Sequence, residues 1–129
     1  MSPKPRLLVV DNEIDVGNFV KSFFEIRGFD VVAVLNGDEA LKALDKFPAD
    51  LVILDVVMRH EKEGVEYLPL IKKKVPAAKV IMVTGVDNKE TIEECKKMGA
   101  DDYITKPLVL EYLESTVMGK VKHLSRIKH

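Results

Sequence analysis

Two rhythms of apolar and polar positions run along the chain. Nearly continuous apolar runs occupy residues 7–10, 30–35, 51–55 and 78–83, and a shorter one lies at 102–105. Such runs, rich in Val and Ile and bounded by Asp, Asn, Gly or Pro, predict strands buried on both faces, as in a parallel sheet. Between them the apolar residues recur at helical spacing. Ile14, Phe19, Val20, Phe23 and Ile26 predict a first helix stopped by Gly28. Ala40, Leu41, Leu44 and Phe47 predict a second, capped by Asn36-Gly37-Asp38 and followed by Pro48. A third runs from Gly64 to near Lys74, and Pro69 within it predicts either a late start near Leu68 or a kink. The fourth, capped by Asp87-Asn88 and ended by Gly99, turns Ile92, Cys95 and Met98 inward. The last carries Leu110, Leu113, Val117, Val121 and Leu124 on one side.

Strand and helix alternate throughout, which predicts a parallel sheet with helices on both faces. Five such units give an α/β, flavodoxin-like (βα)5 three-layer sandwich with strand order 2-1-3-4-5, whose ligand crevice lies at the carboxyl ends of strands one and three. Residues 1–129 form one domain, with a core over about 5–122, an arm at 1–4 and a tail at 123–129. Four polar side chains then share one crevice: Asp11 and Asp55 end strands one and three, Thr84 and Lys106 strands four and five.

Composition narrows the class. The 129 residues are 47% hydrophobic and 32% charged, as in a globular protein, and 21 acids against 20 bases leave no global field for nucleic acid or anionic membrane. Cys95 is the one cysteine, so no intramolecular disulfide forms, and its spacing suits a small core residue. The start, Met1-Ser2-Pro3-Lys4-Pro5-Arg6, lacks an apolar signal region, and no run approaches the length of a membrane span. A cytoplasmic location is the expectation. The cations Lys120, Lys122, Arg126 and Lys128 suit a solvated helix C-terminus better than a nucleic-acid surface.

Asp55 sits in an apolar run where an unpaired carboxylate is costly, so it belongs at the strand tip with partners. Asp11, Asp55 and a backbone carbonyl just beyond offer hard oxygen ligands suited to Mg²⁺. A carboxylate beside a dication and an ammonium stays ionised and can attack phosphorus, with Lys106 and the Thr84 hydroxyl holding the phosphoryl oxygens. His60, in the loop after Asp55 with no second His nearby, reads as a solvated loop residue.

Leu8-Val9-Val10-Asp11, Leu54-Asp55, Val83-Thr84-Gly85 and Tyr103-Ile104-Thr105-Lys106-Pro107 occur in order at strand ends. The chain in this respect resembles the receiver domain of bacterial two-component response regulators, similar in outline to the chemotaxis receiver. The resemblance covers about residues 5–122. It implies that Asp55 accepts a phosphoryl group from a phosphohistidine on a sensor histidine kinase or phosphotransfer protein. The domain would catalyse its own phosphorylation and dephosphorylation rather than turn over an external substrate. It further implies Mg²⁺ (or Mn²⁺) held by Asp11, Asp55, the residue at Asn12 and the Val57 carbonyl, and a switch of Thr84 and Tyr103. Output would pass through helix four, strand five and helix five, with a homodimer on phosphorylation as one form. Lys106-Pro107 would carry a cis bond.

Three departures qualify these expectations. Asn12 stands where such receivers usually have a second acid, which predicts weaker Mg²⁺ binding. Arg59 replaces a customary proline and Gly64 arrives one residue late, which predicts a longer, more mobile loop after Asp55. Val57 and Val86 stand where, by the resemblance, receivers have residues that influence hydrolysis, and neither can orient water, which predicts a long-lived phosphoryl group. A dehalogenase-type phosphatase would need an acid where Val57 stands, and a P-loop needs glycines that Asp11-Asn12-Glu13-Ile14-Asp15 lacks. The serious alternative is an unphosphorylated pseudo-receiver acting as a protein-interaction module. The chain is expected to be either a stand-alone receiver or one cut from a longer regulator or hybrid kinase.

Overall fold

The computed structural model describes residues 4–85 and 89–122. Strands β1 (Arg6–Val10), β2 (Asp30–Val34), β3 (Leu51–Asp55), β4 (Lys79–Thr84) and β5 (Asp102–Thr105) alternate with five helices. These are α1 (Ile14–Ile26), α2 (Gly37–Lys46), α3 (Glu63–Lys74), α4 (Lys89–Lys97) and α5 (Leu110–Val121). All strand pairs are parallel, in the order β2-β1-β3-β4-β5, as the alternation predicts.

The period of two along each strand sorts the core into two layers. Leu7, Val9, Leu51, Ile53, Ile81 and Val83 face α1 and α5, where they meet Val20, Phe24, Leu113 and Val117. Leu8, Val10, Val52, Leu54, Val80 and Met82 face the other way, against residues of α2, α3 and α4. Every residue of β3 is buried, as a central strand requires.

Several helix ends follow from local chemistry. Asn36 Oδ1 accepts from Glu39 N (2.9 Å) at the start of α2, and the Glu39 carboxylate returns to Leu35 N (2.8 Å). Gly28 and Gly99, with φ of 91° and 104°, turn the chain out of α1 and α4 in a conformation that costs a side chain energy.

The buried stripe of α1 differs from the expected one. Gly17, Val20 and Phe24 face the sheet, whereas Ile14, Phe19 and Ile26 are exposed. Gly17 permits this rotation, since a Cβ there would press on the Ala33 Cβ at 3.3 Å. In α4, Thr91 and Cys95 are buried while Met98 is exposed, so the inward stripe is shorter than expected. Helix α3 starts at Glu63 and passes through Pro69, so the late start does not occur. The predicted Asp87-Asn88 cap, Val86, the arm's first residues (1–3) and the tail from 123, with Leu124, Arg126 and Lys128, lie outside the described residues.

Candidate functional site

The carboxyl ends of β1, β3 and β4 and the turn after β5 converge. Asp55 is the last residue of β3 and Asp11 the first after β1, whose Val10 pairs with Leu54. Thr84 ends β4, one step beyond Val83, the register partner of Asp55. Its carbonyl accepts Lys106 N (2.7 Å), which fixes the backbone after β5. The Lys106–Pro107 bond is cis. From there the lysine reaches back to the centre of the sheet, and Lys106 Nζ donates to Asp55 Oδ2 at 2.9 Å.

These groups are withdrawn from water. Asp11, Asp55 and Thr84 are buried, Asp55 to 2% exposure, while Lys106 is one-third exposed. Burial pushes the Asp55 carboxyl up to about 6, with the neighbouring Asp11 charge adding to it and the Lys106 bond opposing. Burial works against the Lys106 ammonium too, but its bond to Asp55 and the charges of Asp55, Asp11 and Glu13 outweigh this and raise it. One ammonium therefore serves two adjacent buried carboxylates.

The pocket suits a divalent cation. Asp11 accepts only Glu13 N (2.9 Å), through Oδ1, so among the described residues its Oδ2 has no hydrogen bond despite its burial. A buried, half-satisfied carboxylate repelling a second one is relieved by a hard cation with oxygen ligands. Asn12 is exposed beside it, and its amide nitrogen reaches the Met58 carbonyl at 3.4 Å. Val57 is also exposed, between buried Val56 and Met58. No group of three or more His, Cys, Asp or Glu side chains forms a metal cluster among the described residues. Any cation here would thus rest on two acids and neutral oxygens.

Tyr103 is not in this crevice. Its ring is half-buried against the α3–α4 layer, beside a cavity of about 100 Å³ lined by Ile92, Cys95 and Ala100 among others. His60 is exposed and meets Glu66 at 3.2 Å, in keeping with a solvated loop residue.

The sequence reading missed the role of Glu63. It is fully buried and accepts from Gly37 N (2.9 Å), Arg59 N (2.8 Å), Arg59 Nε (2.9 Å) and Arg59 Nη2 (2.6 Å). Burial alone would raise this carboxyl, yet the guanidinium and the two backbone N–H groups bring it down to about 2. The loop after Asp55 is therefore tied at its far end, with Val56 and Met58 anchored in the core, against the expected looseness. The signal available was the i, i+4 spacing of Arg59 and Glu63.

Comparison with known proteins accords with this geometry. The response regulator receiver domain model matches residues 7–118. The chain belongs to the response regulator receiver family. It is 39% identical over 114 residues to the chemotaxis protein CheY of Listeria monocytogenes, covering 84% of this chain and 95% of that one. It is 38% identical over 102 residues to an NtrX-like response regulator of Rickettsia bellii, covering 78% of this chain but 21% of that protein. This receiver thus spans about a fifth of one relative and nearly all of the other. Among solved structures, a CheY-like receiver from Methanospirillum hungatei superposes with a TM-score of 0.86 at 28% identity, covering 92% and 94% of the two chains. A Thermotoga maritima response regulator gives 0.83 at 32% identity, covering 92% and 98%. Among the described residues no helix is long and apolar enough to cross a membrane.

Proposed function

We propose that this receiver takes a phosphoryl group onto Asp55 from a phosphohistidine of a sensor histidine kinase or phosphotransfer protein. The observation that carries the reading is the 2.9 Å bond from Lys106 to an Asp55 buried beside a half-satisfied Asp11. An Asp55 carboxylate oxygen attacks phosphorus, the phosphorus–nitrogen bond breaks, and its electron pair returns to the imidazole. Lys106 moves from the free carboxylate to a phosphoryl oxygen, and the Thr84 hydroxyl donates to another. No side chain need act as a base, since positioning and charge neutralisation dominate such transfers. Mg²⁺ or Mn²⁺, when bound, would offset the charge of the carboxylates and the phosphoryl group. Asp11, Asp55, the Asn12 amide oxygen and the Val57 carbonyl would hold it, more weakly than a site with a third acid.

The phosphodonor has a surface to meet. Ile14 and Phe19 are 61% and 64% exposed on α1. Phe19, Val16, Lys106, Pro107 and Leu108 line a groove of about 250 Å³ next to the crevice. Signal leaves through α4, β5 and α5 as the Thr84 hydroxyl moves toward the phosphoryl group and Tyr103 turns into the cavity beside it. This reading places the protein in the cytoplasm, with a homodimer on phosphorylation as one output form. An apolar Val57 beside Asp55 favours a long-lived phosphoryl group.

Incubation with acetyl phosphate and Mg²⁺, followed by intact mass measurement, tests the assignment. One phosphoryl group should add to the wild type and none to Asp55→Asn. A wild type that stays unmodified, with no spectral response to beryllofluoride, would instead mark a pseudo-receiver that works as an interaction module.

A further inference from the structure

We propose that Glu63 and Arg59 are positioning residues for the phosphorylation site, holding the loop of residues 56–62 and the start of α2 against the tip of β3. The inference rests on the phosphoacceptor reading for the use of the Val57 carbonyl, and adds to it the device that places that carbonyl.

Three observations converge. First, the loop joining β3 to α3 runs from buried Val56, past exposed Val57, to buried Met58, and its next residue is Arg59. The Glu63 carboxylate takes both the backbone N–H and the side chain of Arg59, so it closes the loop on itself (2.8, 2.9 and 2.6 Å). Secondly, the same loop is pinned from behind by Gly64. Gly64 N donates to the Val56 carbonyl (2.9 Å), and a Cβ at Gly64 would overlap the Asp55 carbonyl oxygen. Glu63 and Gly64 are thus consecutive anchors at the base of the segment that carries Val57.

Thirdly, the clip reaches a second helix. Glu63 Oε2 accepts Gly37 N (2.9 Å), one of the first-turn N–H groups of α2 that have no intrahelical partner. A Cβ at Gly37 would clash with the Tyr67 ring, so the start of α2 and the first turns of α3 are in close contact. Tyr67 Oη donates to Asp38, and Arg59 Nη1 donates to the same carboxylate at 3.2 Å. The ion pair stiffens the loop and ties α2 to it in addition. A rigid pair with both carboxylate oxygens engaged preorganises the segment that carries the Val57 carbonyl.

The test compares Mg²⁺ affinity by calorimetry with amide hydrogen exchange of residues 56–62, well below the unfolding temperature. Glu63→Gln, which keeps the shape and loses the charge, should weaken Mg²⁺ at least fivefold and speed exchange in the loop. Phe24→Leu, a core change on the opposite face of the sheet, should lower the melting temperature while leaving both readouts near wild type. Should Glu63→Gln fail to fold, Arg59→Lys serves, since it keeps the charge but cannot make the two forked side-chain bonds to Glu63. Equal Mg²⁺ affinity in wild type and the clip variants, or equal loss in Phe24→Leu, would overturn the positioning role. A wild type that binds no Mg²⁺ would overturn the site reading itself, and the clip's role with it, before any variant is compared.

Discussion

Two buried carboxylate sites flank the same end of the sheet and are built to opposite ends. Around Glu63, one carboxylate meets one guanidinium and two backbone N–H groups, and the acid is held down at about 2. Around Asp55, two carboxylates share one ammonium, and burial with the Asp11 charge pushes the acid up to about 6. The first site has its charge balanced and its hydrogen bonds complete, which makes it a fastener. The second holds excess negative charge and an unbonded buried oxygen, a cost that a bound cation would relieve.

The largest effect expected from breaking this contrast is chemical. Lys106→Ala removes the ammonium from the unbalanced site, and phosphoryl uptake from acetyl phosphate should fall on the order of 100-fold. Stopped-flow or timed mass measurements read this directly, and a loss of under tenfold would show that Lys106 does not hold the phosphoryl group.

Stability against pH sharpens the comparison next. Glu63 is depressed from 4.5 to about 2, so its contribution is complete above 4.5 and is lost as pH falls toward 2. Asp55 is raised from 3.8 to about 6 in the metal-free protein, so its effect has the opposite sign. Stability associated with protonated Asp55 is full below 3.8 and lost as pH rises through 6. Urea midpoints from pH 2 to 8 without Mg²⁺ should show Asp55→Asn losing the decline above pH 4. Glu63→Gln should flatten the acid limb and cost about 2 kcal/mol at neutral pH. Variants that shift the whole curve without changing its shape would refute the assignment.

The smallest effect concerns the missing acid. Asn12→Asp adds a third negative charge to the already unbalanced site and should tighten Mg²⁺ several-fold by calorimetry. It should also lower metal-free stability, whereas unchanged Mg²⁺ affinity would mean that position 12 is not a ligand.

The amino-acid pattern was enough to determine the strand order, the strand tips and the residues on them. Runs such as 51–55 are apolar on both faces only because they are central, and their polar final residues have nowhere to go but the crevice. Asp11, Asp55, Thr84 and Lys106 were legible for that reason. Tertiary structure decided what a periodicity cannot weigh. Which side of α1 faces inward turned on the small Gly17 against Ala33, leaving Phe19 and Ile26 outside in favour of Phe24. Likewise, a helix-start Glu in a polar loop looks solvated until Gly37 and Arg59 are known to surround it. Burial of a charge depends on partners distant in the chain, and only the packed fold brings residues 37, 59 and 63 to one point.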